Sequence, residues 1–71
     1  MSVEEVELKT WRARACKRER IVHLIEQQIA ATTDVDELIA LNARRRDVIL
    51  LWQHALSEAQ RCETIVEREA A

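Results

Sequence analysis

Histidine and cysteine are the residues of this sequence that suit metal binding or catalysis, and each occurs only twice. Neither His23 nor His54 belongs to a recognisable metal-binding motif, and Cys16 and Cys62 form no CxxC pair. The sequence contains no glycine, so it has no glycine-rich phosphate loop. We therefore expect a protein that is not an enzyme, with no catalytic residue, no metal or cofactor site and no small-molecule substrate.

Arginine is the other candidate for chemistry, because it is concentrated in two stretches: "RARACKRER" at residues 12–20 and "RRR" at residues 44–46. A basic band on a helical bundle can bind the backbone of a nucleic acid. Two features oppose that hypothesis: the basic residues of the first stretch spread around a helix, and the sequence pI is about 5.6. The residues that would make nucleic-acid contacts are Arg12, Lys17, Arg20, Arg44 and Arg46.

The composition favours helices. The 71 residues include no Gly and no Pro, and 48% are hydrophobic, with a net charge of only −2. Abundant Ala, Glu, Arg, Leu and Ile favour helix over strand, and few residues remain that would interrupt one. No apolar run of about 18 residues predicts a membrane span, and no secretory signal is evident. With only two cysteines and no disulfide or metal pattern, we expect a reduced, cytoplasmic setting.

Two capping patterns divide the chain. Ser2 followed by Glu5 is typical of a capping box, and "ATTDVDE" contains a second helix start with Thr33 or Asp34 as its N-cap. The sequence thus predicts one domain over residues 1–71, with helix 1 at about 3–31, a turn at about 32–34 and helix 2 at about 35–69. A turn this short makes the helices antiparallel, so the predicted fold is an all-α two-helix hairpin.

Apolar residues at helical spacing define the predicted contact between the helices. We expect residue i to face about residue 66 − i across this seam. In that register Trp11 and Trp52 form one aromatic patch, and Arg14 lies against Trp52. The predicted seam residues are Leu8, Trp11, Ala15, Val22, Ile25 and Ile29 on helix 1, and Leu38, Leu41, Val48, Trp52, Ala55, Ala59, Cys62 and Val66 on helix 2.

"VILLW", residues 48–52, has more apolar side chains than one helix face can hold, because successive residues turn by about 100°. A second apolar strip lies away from the seam, so one hairpin leaves apolar surface uncovered. We therefore expect a second copy of the chain, or helices of another protein, to complete a four-helix bundle or coiled-coil assembly. The predicted partner interface consists of Ile21, Leu24, Leu50, Leu51 and Trp52, with Trp11 in support.

Two functions follow as hypotheses. The preferred one is a small intracellular protein–protein interaction module, an adaptor or chaperone-like hairpin. In size and hairpin shape it is similar to the small co-chaperones of bacterial type III secretion needle subunits. The alternative is a nucleic-acid-binding four-helix dimer similar in size and architecture to Rop, a short α-hairpin dimer that binds RNA. Both similarities are architectural and involve no shared motif.

Overall fold

The computed structural model describes residues 2–70, which form two helices and no strand. Helix α1 spans Val3–Ala31 and helix α2 spans Val35–Ala70. The helices pack side by side in an antiparallel hairpin measuring 54 × 14 × 14 Å, which confirms the all-α prediction. Helix α2 extends one residue beyond the predicted end, and residues 1 and 71 of the predicted domain lie outside the described residues.

Helix α1 begins at the predicted cap. Ser2 has an extended backbone (φ −78°, ψ 162°), and its Oγ accepts a hydrogen bond from the Glu5 backbone N–H at 3.2 Å. Glu4 and Glu5 lie in the first turn, where their negative charge is favourable beside the positive end of the helix dipole. The cap therefore satisfies one free N–H group and sets the first residue of the helix.

The turn consists of residues 32–34, and two side chains bond its backbone. Asp34 Oδ1 accepts from the N–H groups of Asp36 (3.0 Å) and Glu37 (3.5 Å), so Asp34 is the N-cap of α2. Thr32 Oγ1 accepts from the Asp34 N–H at 3.3 Å and donates to Glu37 Oε2 at 3.0 Å. The sequence predicted Thr33 or Asp34 as the N-cap of α2, and the structure shows that it is Asp34. Thr32, which was not predicted, adds a bond to the Asp34 backbone.

The seam follows the predicted pattern. Every predicted seam residue is buried or half-buried. With Arg18 and Arg45 included, the seam positions of each helix alternate spacings of three and four, which is the 3.5-residue period of a left-handed coiled coil. The buried members are Leu8, Ala15, Val22 and Ile25 of α1 and Ala55, Ala59 and Cys62 of α2.

The register across the seam differs from the prediction. The residue numbers of the Arg18–Leu51, Glu26–Arg45 and Glu7–Cys62 contacts add to 69, 71 and 69. Residue i therefore faces about residue 70 − i, and the predicted value of 66 − i is wrong by about one helical turn. Longer side chains contact residues up to about five positions from the one they face, since the Trp11–His54 residue numbers add to 65 and those of Arg12–Glu63 to 75.

This shift separates the two tryptophans. In the observed register Trp52 lies opposite Arg18, about two turns along α1 from Trp11. Trp11 instead meets the His54 ring edge-on, with centroids 5.4 Å apart, and Arg14 stacks over Trp11 at 4.8 Å. The predicted Trp11–Trp52 patch and the predicted Arg14–Trp52 contact are therefore wrong, because each needed Trp52 to lie one turn closer.

Candidate interaction surface

The hairpin exposes more large apolar side chains than it buries. Among the buried residues of the described range 2–70, only Leu8, Val22 and Ile25 are large aliphatics. The accessible surface is 5354 Å², whereas a compact monomer of this mass would have about 4,600 Å². Eight large aliphatics are 48% exposed or more: Val3, Val6, Leu24, Val35, Ile39, Leu50, Leu51 and Leu56.

The hairpin has two faces along the line where its helices meet, and contacts between the helices distinguish one face from the other. An open cleft on one side is lined by Glu7, Arg14, Glu58 and Arg61, and we call this side the groove face. On the other side Arg12 Nη2 lies 3.3 Å from Glu63 Oε2, and we call it the opposite face. Residues seven apart share a face in a coiled coil, so these contacts assign the flanking positions along both helices.

Charged side chains contact one another on the groove face near the open end of the hairpin, which is the end that carries the chain termini. Arg61 Nη2 lies 2.9 Å from Glu58 Oε2 and 3.9 Å from Glu7 Oε2, and the Cys62 thiol donates to Glu7 Oε2 at 3.8 Å. The hydrogen bond that Arg61 donates to Glu58, together with the negative charge of Glu58, raises the pKa of Arg61 above its ordinary value. Burial is the main cause of the raised pKa of Cys62. Both groups therefore keep their protons at neutral pH.

Three predicted interface residues come together on the groove face. Ile21 follows Glu7 and Arg14 at intervals of seven, and Leu51 precedes Glu58 by seven, so both flank the seam on that side. In the observed register they lie within about two residues of each other along the axis. Leu24 lies one turn beyond Ile21 on the same side. Leu24 is 59% and Leu51 50% exposed, whereas Ile21 is half-buried.

The other three predicted interface residues lie elsewhere. Leu50 is 59% exposed on the side of α2 that points away from α1, and Trp52 is half-buried in the seam. Trp11 is half-buried too, and packs against the cluster of Leu8, Ala59 and Cys62 near the open end of the hairpin. The structure thus distributes the six residues over a flank, an outer surface and the seam.

Sequence reasoning missed one apolar flank. Ile49 and Leu56 precede Glu63 by fourteen and seven residues, which places them on the opposite face. Leu56 is 48% exposed and Ile49 is half-buried. The 3.5-residue spacing of these positions beside the seam is the signal that would have identified them.

The predicted nucleic-acid contacts do not form one stripe. By the same spacing, Lys17 and Arg44 lie on the groove face, Arg12 and Arg46 lie on the opposite face, and Arg20 lies on the outer side of α1. Arg12 is also paired with Glu63 at 3.3 Å. All five side chains are exposed, but they point to three different sides of the hairpin.

The histidines and cysteines are not assembled into a reactive group. His23 lies 3.9 Å from both Glu19 and Glu26 on the exposed surface of α1. Cys16 is exposed, Cys62 is buried, and both thiols are free. Among residues 2–70, no cluster of three His, Cys, Asp or Glu side chains could hold a metal ion. Neither described helix is apolar enough over a sufficient length to cross a membrane.

Comparison with known proteins finds no family model, no curated protein and no solved structure that matches this chain. The fold and its exposed side chains are therefore the basis for a functional proposal.

Proposed function

We propose that the chain is a small protein–protein interaction module, an adaptor or chaperone-like hairpin that acts through an apolar face centred on residues 48–52. A second copy, or the helices of another protein, would complete a four-helix bundle or coiled-coil assembly. The observation that carries this proposal is the set of eight large aliphatic side chains that remain at least 48% exposed. A cytoplasmic setting is part of the proposal, and two free thiols are compatible with it.

Burial of this surface would contribute substantially to association. Complete burial of a Leu side chain is worth about 1.5–3 kcal/mol, so covering the exposed half of Leu50 and of Leu51 contributes about 1 kcal/mol each. A symmetric dimer buries each residue twice. The seam alone supports only a thin core, since three of its seven buried residues are alanines. Association would therefore add apolar burial that the single hairpin lacks.

The alternative proposal is a nucleic-acid-binding dimer. It is favoured by the charge of the hairpin's middle, where residues 14–26 and 44–56 carry seven cations and three anions, a net charge of +4. It is opposed by the distribution of Arg12, Lys17, Arg20, Arg44 and Arg46 over three sides, because a phosphate backbone is followed by a continuous stripe of positive charge.

Sedimentation equilibrium over a range of concentrations tests the first proposal. The wild-type chain should show a mass above 8.3 kDa that increases with concentration. Leu50→Glu should remove most of this association, because a charge replaces an apolar side chain at the contact. The double variant Arg44→Ala with Arg46→Ala should retain it, since exposed ion pairs contribute only about 0–1 kcal/mol.

A cooperatively melting monomer at every concentration, unchanged by Leu50→Glu, would rule out assembly with a second copy and leave the helices of another protein as the partner. A second contrary result would favour the alternative: salt-sensitive binding of duplex RNA that the double arginine variant loses and Leu50→Glu retains. Circular dichroism of each variant confirms that the helices remain folded.

A further inference from the structure

We propose that the groove face binds an amphipathic helix with acidic flanks, carried by another protein, on a patch formed by Ile21, Leu24 and Leu51. This inference rests on the proposed function and specifies the chemistry of the partner. It depends on the position of the apolar side chains, on the charges around them, and on the poor fit of a second copy.

The patch lies where a third helix would pack. Ile21 of α1 and Leu51 of α2 flank the seam from opposite sides of the groove, so a helix laid along the groove would contact both. Leu24 extends the patch by one turn towards the hairpin turn. The exposure of Leu24 (59%) and Leu51 (50%) leaves apolar area for a partner to bury. Two heptads of a partner helix, about 20 Å, would cover this length.

The border of the patch is basic. Arg14 and Lys17 lie on the groove face of α1 beside Ile21, and Arg44 lies on α2 one heptad before Leu51. Asp47 is the single acidic side chain on this stretch of the face. Beneath the patch, Arg18 Nη1 donates to the Leu51 carbonyl oxygen at 2.7 Å, which adds another positive charge within the groove. Glutamates flanking the apolar stripe of a partner helix would complement these cations.

A second copy of the chain fits this patch less well. The patch lies within the basic middle, which has a net charge of +4, while residues 27–43 carry −3 and the open end, residues 1–13 and 57–71, also carries −3. Two copies centred on the same patch would bring the two basic bands together, and like charges at an interface oppose association. Self-association through this patch is therefore weak, and a helix with acidic flanks displaces a second copy from it.

The test uses two synthetic peptides of about three heptads, each with leucine at the a and d positions. One carries Glu at every e and g position, and the matched peptide carries Lys there. Titration of the full chain into each fluorescently labelled peptide, followed by anisotropy, gives the affinities. We expect the Glu peptide to bind at least about tenfold more tightly at low salt, and the difference to shrink as salt screens the charges.

Variants locate the site. Leu24→Ser and Leu51→Ser should each weaken binding of the Glu peptide several-fold, because both side chains are already exposed and their loss leaves the hairpin folded. Val35→Ser is the matched control: Val35 is 67% exposed but lies at the turn, outside the patch, so its replacement should leave binding unchanged.

Three outcomes overturn the inference. Equal binding of both peptides at low salt would show that the basic residues around the patch do not favour an acidic partner. If neither peptide bound while Leu50→Glu still abolished self-association of the wild type, an acidic partner would be ruled out. The proposed function would then stand without this inference. Duplex RNA that displaces the Glu peptide and binds Leu51→Ser as well as wild type would identify a nucleic acid as the ligand of this face.

Discussion

Cys62 lies in the apolar cluster of the hairpin near the chain termini. Its side chain is fully buried, beside Leu8 and Ala59, and its thiol donates to Glu7 Oε2 at 3.8 Å. Burial is the main cause that raises the pKa of the thiol above its ordinary value of 9.0, and the nearby Glu7 acts in the same direction. The thiolate is disfavoured because it would lie in an apolar setting beside a carboxylate.

This position predicts a loss of stability at alkaline pH. Because the folded pKa of Cys62 is raised, the unfolded chain releases the thiol proton first; the contribution is complete below about pH 9 and is lost as pH rises further. Under reducing conditions, the melting temperature of the wild type should fall as the pH rises above about 9. Cys62→Ala should flatten this decrease, and Cys16→Ala should not. An equal decrease in all three proteins would contradict the assignment.

The ends of the helices are set by side chains that bond to free backbone groups. Ser2 is the N-cap of α1 and Asp34 is the N-cap of α2. Thr32 bonds to both the Asp34 backbone and the Glu37 carboxylate. In a chain with no Gly or Pro, these bonds are the main local signals that separate the two helices. Without them, residues 32–34 have little to prevent continuation of the helix.

Removal of the second cap should therefore destabilise the hairpin. Asp34→Ala removes the acceptor for the Asp36 and Glu37 N–H groups and should lower the free energy of unfolding by about 1 kcal/mol. Thr33→Ala is the control, since the capping bonds come from its neighbours, and should change it by less than about 0.5 kcal/mol. Urea unfolding at one fixed protein concentration measures both. A larger effect at Thr33 would mean that the cap is misassigned.

At the scale of the molecule, the size of the facing side chains varies along the seam. Ala15 and Ala55 lie opposite each other in the observed register, and Ala55 is fully buried. Towards the chain termini, Ala59 and Cys62 pack in one cluster with the larger Leu8 and Trp11. Larger residues fill the seam towards the turn, where Ile25, Ile29 and Leu41 are buried or half-buried. Ala15 and Ala55 are therefore the pair of facing seam residues with the smallest side chains.

A larger side chain at Ala55 should force the helices apart, because Ala55 is fully buried in the seam. Ala55→Leu should lower stability by about 1–3 kcal/mol, because the added carbons have no space in the seam. Ala43→Leu provides a matched control: Ala43 is exposed on the outer side of α2, and its replacement should change stability by less than about 0.5 kcal/mol. Thermal melting compares the two variants. Equal stability of both would show that the helices do not approach closely at Ala55.

Local patterns in the sequence were sufficient to predict the elements. The cap at Ser2, the second cap at Thr33 or Asp34 and the spacing of the seam residues predicted the helix bounds to within about one residue. Capping and burial of a helix face depend on residues close together in the chain, and this is why local patterns were sufficient. The exposed state of Leu24 and Leu50 also followed from their spacing, since neither lies at a seam position.

The register and the grouping of surface residues required the tertiary structure. Sliding one helix by a turn keeps apolar residues in contact, so the spacing alone could not distinguish 66 − i from 70 − i; contacts such as Arg18 with the Leu51 carbonyl and Glu26 with Arg45 decide it. That shift moves Trp52 away from Trp11 and places Leu51 beside Ile21 on the groove face. Relations between residues distant in the chain depend on how whole helices pack, and this is why only the tertiary structure identified the patch.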